Sequence, residues 1–154
     1  MFELKPVQED ELSAYFDSLW QDLRVEFTEA GFSTEYADEN IESSRKQFFP
    51  NDELAPGNFL FYAFNDGVKV GKLWLCSVER ESKTEWSVYD IETFEGFRGK
   101  GFGRRIMLEA EDYVRSKNGA SISLSVFGNN SVARKLYDSL NYETIRVGMK
   151  KNLD

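Results

Sequence analysis

Residues 97–105 read Phe97-Arg98-Gly99-Lys100-Gly101-Phe102-Gly103-Arg104-Arg105. Three glycines stand at every second position among four cations, in a chain whose formal net charge is −8. Before them, Trp86–Phe94 has a strand-like composition; after them, Ile106, Met107, Ala110, Tyr113 and Val114 form a helical stripe across Phe102–Ser116. A strand that turns through glycine into a helix leaves the first helical N–H groups without intrahelical partners. The helix dipole adds positive character at the same end, and the two together suit an anion. Gly101 and Gly103 lack a Cβ, so a ligand can approach the backbone there. Arg98, Lys100, Arg104 and Arg105 add charge, and a diphosphate suits such a place. The plainer reading is a glycine turn followed by a solvated basic helix start.

Two better-known phosphate loops do not fit. Gly96 and Gly101 have the P-loop spacing, but Phe102 stands where that loop needs lysine. The dinucleotide fingerprint needs glycine at position 104, which is Arg104.

Outward from this segment the chain alternates helix and strand. Residues 8–30 predict an amphipathic helix, with Leu12, Tyr15, Phe16, Leu19, Leu23 and Phe27 on one face and Gly31 as its stop. A second helix is expected from about Thr34, capped by Ser33 or Thr34 and ended by Pro50. Residues 50–58 have loop composition. Strands are expected over Phe59–Phe64, Val68–Val78 and Trp86–Phe94, the first two joined by an Asn65–Gly67 hairpin turn. After the glycine helix, Lys117–Gly119 is a C-cap signal. Ser121–Phe127 alternates as a strand. Asn129 or Asn130 caps a last helix bearing Val132, Ala133, Leu136, Tyr137 and Leu140, Asn141 suits a left-handed C′ position, and Tyr142–Leu153 is a final strand or pair of strands. The fold class is α/β (α+β). A mixed central sheet with an antiparallel N-terminal meander, one βαβ crossover and flanking helices is expected, in one domain over residues 1–154.

Bulk composition narrows the chemistry. With 154 residues and 41% hydrophobic content the chain can bury a core of its own. The negative charge disfavours a nucleic acid partner and favours a cationic one. There is no histidine and one cysteine, Cys76. That excludes zinc sites built on those residues and all Ser-His-Asp or Cys-His mechanisms; no metal is expected. A general base must be a carboxylate, tyrosine, lysine or ordered water. No leader or membrane segment is indicated, so a cytoplasmic setting is expected. Cys76 lies in an apolar strand and reads as a small hydrophobe.

Arg98-x-x-Gly101-x-Gly103 matches the [QR]-x-x-G-x-[GA] signature of the GNAT acetyltransferases. Asn130-x-x-Ala133-x-x-Leu136-Tyr137 resembles that family's N-x-x-A-x-x-L-Y segment, and Ser139–Tyr142 stands where the family has K-L-G-F, with Asn141 replacing glycine. The order of elements is similar along essentially the whole chain.

The resemblance implies acetyl-CoA as cofactor, its pyrophosphate held by backbone amides across Gly99, Lys100, Gly101, Phe102, Gly103 and Arg104, beside Arg98. It implies that Ile91, Glu92 and Thr93 offer a strand edge to the pantetheine arm and the thioester carbonyl, where the parallel strands splay. Asn130 contacts the coenzyme, a role that coexists with a helix N-cap. Tyr137 corresponds to the tyrosine that protonates the leaving thiolate; its plainer role is a core aromatic. An alkylammonium, with a pKa of about 10.4, must lose a proton before it attacks. The family carries a carboxylate for this on the next parallel strand in some members, and Ser121–Phe127 has none. Asp90, Glu92 or an ordered water is left as the base, the two carboxylates lying on one strand face.

The implied activity is N-acetyl transfer to a primary amine of a small molecule or peptide, by direct attack in a ternary complex. An acyl-CoA sensor without turnover is the alternative. Acidic residues gather at Glu35, Asp38, Glu39, Glu42, Asp52 and Glu53, and again at Glu79, Glu81, Glu85, Asp90, Glu92 and Glu95. If part of that set lines the acceptor cleft, the amine is cationic; otherwise it is a solubilising surface. The oligomeric state is left open, a homodimer included.

Overall fold

The computed structural model describes residues 1–153. The chain runs β1 (Phe2–Pro6), α1 (Leu12–Glu29) after one 3-10 turn at Glu9–Glu11, α2 (Thr34–Phe48), β2 (Asn58–Asn65), β3 (Val68–Glu79), β4 (Thr84–Thr93), α3 (Phe102–Ser116), β5 (Ile122–Leu124) and α4 (Ser131–Ser139). The strands form one sheet in the order β1-β2-β3-β4-β5. The first three pairings are antiparallel and β4–β5 is parallel, with α3 as the crossover. This is the mixed sheet with flanking helices that the sequence predicts.

Both faces of the sheet are covered, which is why β2 is apolar at consecutive positions rather than at alternate ones. Phe61 and Ala63 point to the side of α3 and α4, where they join Leu73, Leu75, Val88, Ile106, Met107 and Ala110. Leu60 points the other way, with Tyr62 and Trp74, into Tyr15, Phe16, Leu19 and Trp20 of α1 and Ile41 of α2. Asn58 pins the loop before β2: its side chain accepts from Trp74 Nε1 at 2.8 Å and donates to the carbonyls of Ala55 and Pro56.

The local signals act as physical chemistry requires. Ser33 Oγ accepts from the Tyr36 amide at 3.1 Å and starts α2. Asp66 and Gly67 both take positive φ in the β2–β3 turn, and Asn141 does so after α4. Among the described residues no helix is long and apolar enough to cross a membrane.

Three expectations are corrected. β1 precedes the first helix, pairing Leu4 with Ala63, so that helix begins at Leu12, after a 3-10 turn, rather than at residue 8. β5 covers three residues instead of seven. Tyr142–Leu153 forms no strand: its alternation is present, but no neighbouring strand completes its backbone hydrogen bonds, and an unpaired strand has nothing to hold it.

α3 packs closely on the sheet at Gly71 of β3. A Cβ there would lie against the Glu92 carbonyl oxygen of the neighbouring strand and 2.8 Å from Ile106 Cδ1. Gly71→Ala is expected to lower stability by about 1–3 kcal/mol, the cost of overpacking, as read by urea unfolding.

Candidate active site

The site begins with one extra residue. Val88 lies opposite Leu75, but the next pair is Asp90 with Trp74, so Tyr89 is a bulge in β4. A bulge re-aims every side chain beyond it. Before it, Trp86 and Val88 face the α3 side; after it, Ile91 takes that side, while Asp90 and Glu92 turn toward α1.

There they meet Lys72 of β3, which is 1% exposed. Its ammonium lies 3.1 Å from Glu92 Oε2, 3.3 Å from Asp22 Oδ2 and 3.8 Å from Asp90 Oδ2, and 5.3 Å from the Tyr15 ring centre. Burial works against that charge, yet Asp90, Glu92 and Asp22 together hold its pKa above the usual lysine value. One cation does not satisfy three carboxylates. Burial raises the Asp90 pKa to about 7 against the pull of Lys72, and Glu26, Glu92 and Asp22 push the same way as burial. Burial also raises Glu92, opposed by Lys72. Glu26, exposed overall at the rim of the site, is raised by partial desolvation of its carboxylate, then by Asp22 and Glu92, against the pull of Lys72, an effect that water screens.

The β4–β5 ladder ends at Val88 and Leu124, so from Tyr89 to Thr93 the far edge of β4 has no strand beside it. A cavity of about 310 Å³ fills the gap, lined among others by Glu26, Asp90, Ile91, Asn130 and Tyr137. α4 delivers Tyr137, which is 8% exposed. Burial, then Asp90 and Glu26, raise its pKa to about 12. Asn130 caps α4, accepting from the Ala133 amide at 3.1 Å, while also lining the cavity.

Below the cavity β4 turns into α3. Gly96, Gly99 and Gly101 all have positive φ, with Gly101 as the left-handed N-cap at +80°. The amides from Arg98 to Arg104 make no hydrogen bond to any acceptor among the described residues. A Cβ at Gly101 would meet only open space, so its glycine is demanded by φ. At Gly103 a Cβ would lie 3.3 Å from Leu136 Cδ2, so its bareness also serves α3–α4 packing. The basic residues are less available than their charge suggests. Arg98 donates to the Thr93 carbonyl at 3.1 Å and its guanidinium lies 3.9 Å from Glu92; Arg104 donates to Ser139 Oγ; Arg105 donates to Asn65 Oδ1 and covers the Phe2 ring. Lys100 lies over Phe97. The Phe102 ring packs against Phe2 and Phe97, so only its backbone belongs to the turn.

The structure thus brings Asp90, Ile91, Asn130 and Tyr137 to one cavity, sets Glu92 on Lys72, and places Thr93 with residues 98–104 at the turn. Of the acidic residues flagged by composition, Asp90 and Glu92 enter the site; Glu35, Asp38, Glu39, Glu42, Asp52, Glu53, Glu79, Glu81, Glu85 and Glu95 are exposed. Cys76 is a buried free thiol, its pKa raised by burial. Sequence reasoning missed Lys72, Asp22 and Glu26. Their signals are Lys72, the second of two lysines in β3, just before the apolar run Leu73–Cys76, and a polar row Ser18, Asp22, Glu26 at four-residue spacing on α1.

Compared with known proteins, residues 15–142 match the model of the acetyltransferase (GNAT) family. The chain belongs to the GNAT acetyltransferase family. It is 28% identical to the uncharacterised N-acetyltransferase YycN of Bacillus subtilis, over 97% of both chains. The crystal structure of YycN superposes with a TM-score of 0.90 over 99% of each chain. Over 102 residues, 66% of this chain and 61% of the relative, it is 32% identical to the N-alpha-acetyltransferase RimI of Mycobacterium tuberculosis. Family membership carries a general acetyl-CoA-dependent acetyltransferase activity. The residues present fit that cofactor: a row of uncommitted amides suits its pyrophosphate, and an unpaired strand edge suits its amide-bearing arm.

Lys72→Met is expected to raise the Asp90 pKa above its present value, read by NMR titration of carboxyl carbons. It leaves buried carboxylates uncompensated and costs about 3–5 kcal/mol. A raised carboxyl pKa withdraws stability as pH rises through it, so the loss is larger at pH 8 than at pH 5.

Proposed function

We propose that this chain transfers the acetyl group of acetyl-CoA to a primary amine of a small molecule or peptide, by direct attack in a ternary complex. One observation carries the reading: Asp90, with a pKa near neutrality, and Tyr137, with a pKa of about 12, line the same cavity. Groups held that far apart are suited to opposite proton roles. The similarity to RimI, an N-alpha-acetyltransferase, supports amine as the acceptor class.

Acetyl-CoA supplies the activated acetyl thioester when bound. Amides between Gly99 and Arg104 would hold its pyrophosphate, Asn130 would contact it from α4, and the free edge of β4 at Ile91–Thr93 would bind the arm and polarise the thioester carbonyl. Asp90 takes the proton that an incoming alkylammonium must lose, directly or through a water, with Glu92 kept on Lys72. Tyr137 would pass a proton to the departing sulfur and recover one from the nitrogen as the amide forms; since the thiol's pKa of about 8.5 lies below the phenol's, the transfer would depend on that recovery. Asp22, Glu26, Asp90 and Glu92 outnumber Lys72, and this excess favours a cationic acceptor. An amine panel at two salt concentrations tests it: cationic amines should be preferred, and more so at low salt.

On this reading kcat/KM falls as pH drops below about 7, because Asp90 takes up a proton and no longer accepts one. Asp90→Asn should remove that limb and lower the rate by about 10²–10⁴-fold, the range for a lost acid or base. Tyr137→Phe should lower kcat with little change in acetyl-CoA affinity by calorimetry; equal loss of both would reject the acid role.

A further inference from the structure

The cavity between β4 and β5 has two unlike sides. Asn130, Ala133 and Tyr137 of α4 line one, the side of the cofactor and the leaving sulfur. Leu23 and Glu26 of α1, with Val126 and Phe127 of the loop after β5, line the other. No step of the transfer uses the apolar groups of that second side.

Leu23, Val126 and Phe127 make an apolar wall there, and the wall is braced. The Phe127 ring is half-buried, 5.3 Å from Phe27 of α1 and 6.2 Å from Phe32, which stacks at 4.7 Å on Tyr36 of α2. Asn129 ties the same loop to α1, donating to the Glu29 carbonyl at 3.1 Å. A surface held from two helices keeps its shape when a side chain packs on it. The loop has also left the sheet: the N–H and C=O of Val126 make no hydrogen bond among the described residues.

Charge sorts what can lie beside this wall. Asp90 Oδ2 is buried without a hydrogen-bond partner, 3.8 Å from Lys72, and the uncommitted Glu26 carboxylate borders the same cavity. An ammonium is drawn to this place, and a carboxylate attached beside that ammonium is repelled from it.

Resting on the transfer reading, we propose that the acceptor is an α-amino amide, the amine end of a peptide or an amino acid amide, that carries a large apolar side chain. Its amine meets Asp90, its side chain lies on Leu23, Val126 and Phe127, and its uncharged amide passes Glu26 and pairs with the main chain of Val126. Transfer forms the new N–C bond, breaks the thioester C–S bond and leaves coenzyme A as the thiol. Basicity agrees with the assignment: an α-ammonium titrates at about 8 and an alkylammonium at about 10.4, so Asp90, at about 7, takes the proton of the first more readily. A free amino acid offers the same amine and side chain but brings a carboxylate against Glu26.

Thiol release from acetyl-CoA tests this with phenylalanine amide, phenylalanine, glycine amide, 2-phenylethylamine and 1,4-diaminobutane. The kcat/KM for phenylalanine amide should exceed each of the others by at least about tenfold. A smaller margin over any one of them overturns the proposal and leaves amine transfer standing. Release with none of the five, while calorimetry shows acetyl-CoA bound, overturns the transfer reading, and the acceptor assignment falls with it. Two variants place the preference on the wall and the charge. Phe127→Ala should lower the preference for phenylalanine amide over glycine amide at least about fivefold, and Glu26→Gln should lower the preference for phenylalanine amide over phenylalanine. Each readout is a ratio within one preparation, so any loss of folded protein cancels. An unchanged ratio in either variant overturns the proposal.

Discussion

Beyond Val88 the fourth strand has a neighbour on one side only, and the candidate site is built around that loss. In a closed sheet, side chains on opposite faces never meet, because a layer of backbone lies between them. Here the layer is interrupted. Glu26 of α1, on one face, and Tyr137 of α4, on the other, line the same cavity, and Glu26 raises the Tyr137 pKa across it. The open edge leaves backbone donors and acceptors without a ladder, a state that costs free energy unless water or a ligand satisfies them. A polar, amide-bearing cofactor is the kind of molecule that repays this, and the same gap gives it access.

The bulge at Tyr89 is the second constraint. Without the extra residue, Asp90 would continue the row of Trp86 and Val88 into the α3 core, where no cation waits. With it, Asp90 and Glu92 reach Lys72. A lysine at 1% exposure is sustained chiefly by carboxylates, and those carboxylates are in turn kept from full neutralisation by Lys72. Neither side is stable without the other, which is the usual condition of a buried ionic group. The imbalance between several carboxylates and one ammonium is therefore a property of the site rather than of the surface, although the chain's overall acidity hides it in composition.

Most of the layered architecture was legible in the sequence because apolar periodicity and capping residues are local. Ser33, Asn141 and the Asp66–Gly67 turn act where their side chains or φ angles demand. What escaped was set by tertiary pairing. β1 offers only Phe2 and Leu4 as an alternating pair, too short a pattern to stand out before a long helix. The strand expected at Tyr142–Leu153 has the right alternation and no neighbour to pair with. Asp90 and Glu92 were named, but for their spacing; the bulge that gives them their surroundings depends on register against β3. In the sequence Lys72 is a cation within an apolar strand, and Asp22 and Glu26 are polar positions on an amphipathic helix; no local signal joins them. Gly103 belongs to a motif read as ligand-facing, while its neighbour in space is Leu136. The turn itself was legible as a place, although its arginines prove to be committed to Thr93, Ser139 and Asn65. What the turn offers an anion is its main-chain N–H groups more than side-chain charge.

A single physical cause separates the two groups assigned to proton transfer. Exclusion of water is the largest influence on both Asp90 and Tyr137, and in both it disfavours the anion. For the carboxyl, starting near 4, the shift ends in the range where proton uptake and release are both easy at neutral pH. For the phenol, starting near 10, the same shift moves the group away from that range and keeps it protonated at neutral pH. Because the anions of the two groups also repel one another, ionising Asp90 secures the proton on Tyr137. The cleft that opens the sheet thus needs no histidine to hold an acid and a base together: a carboxyl and a phenol, buried in one shared cavity, are driven into complementary states by the same desolvation.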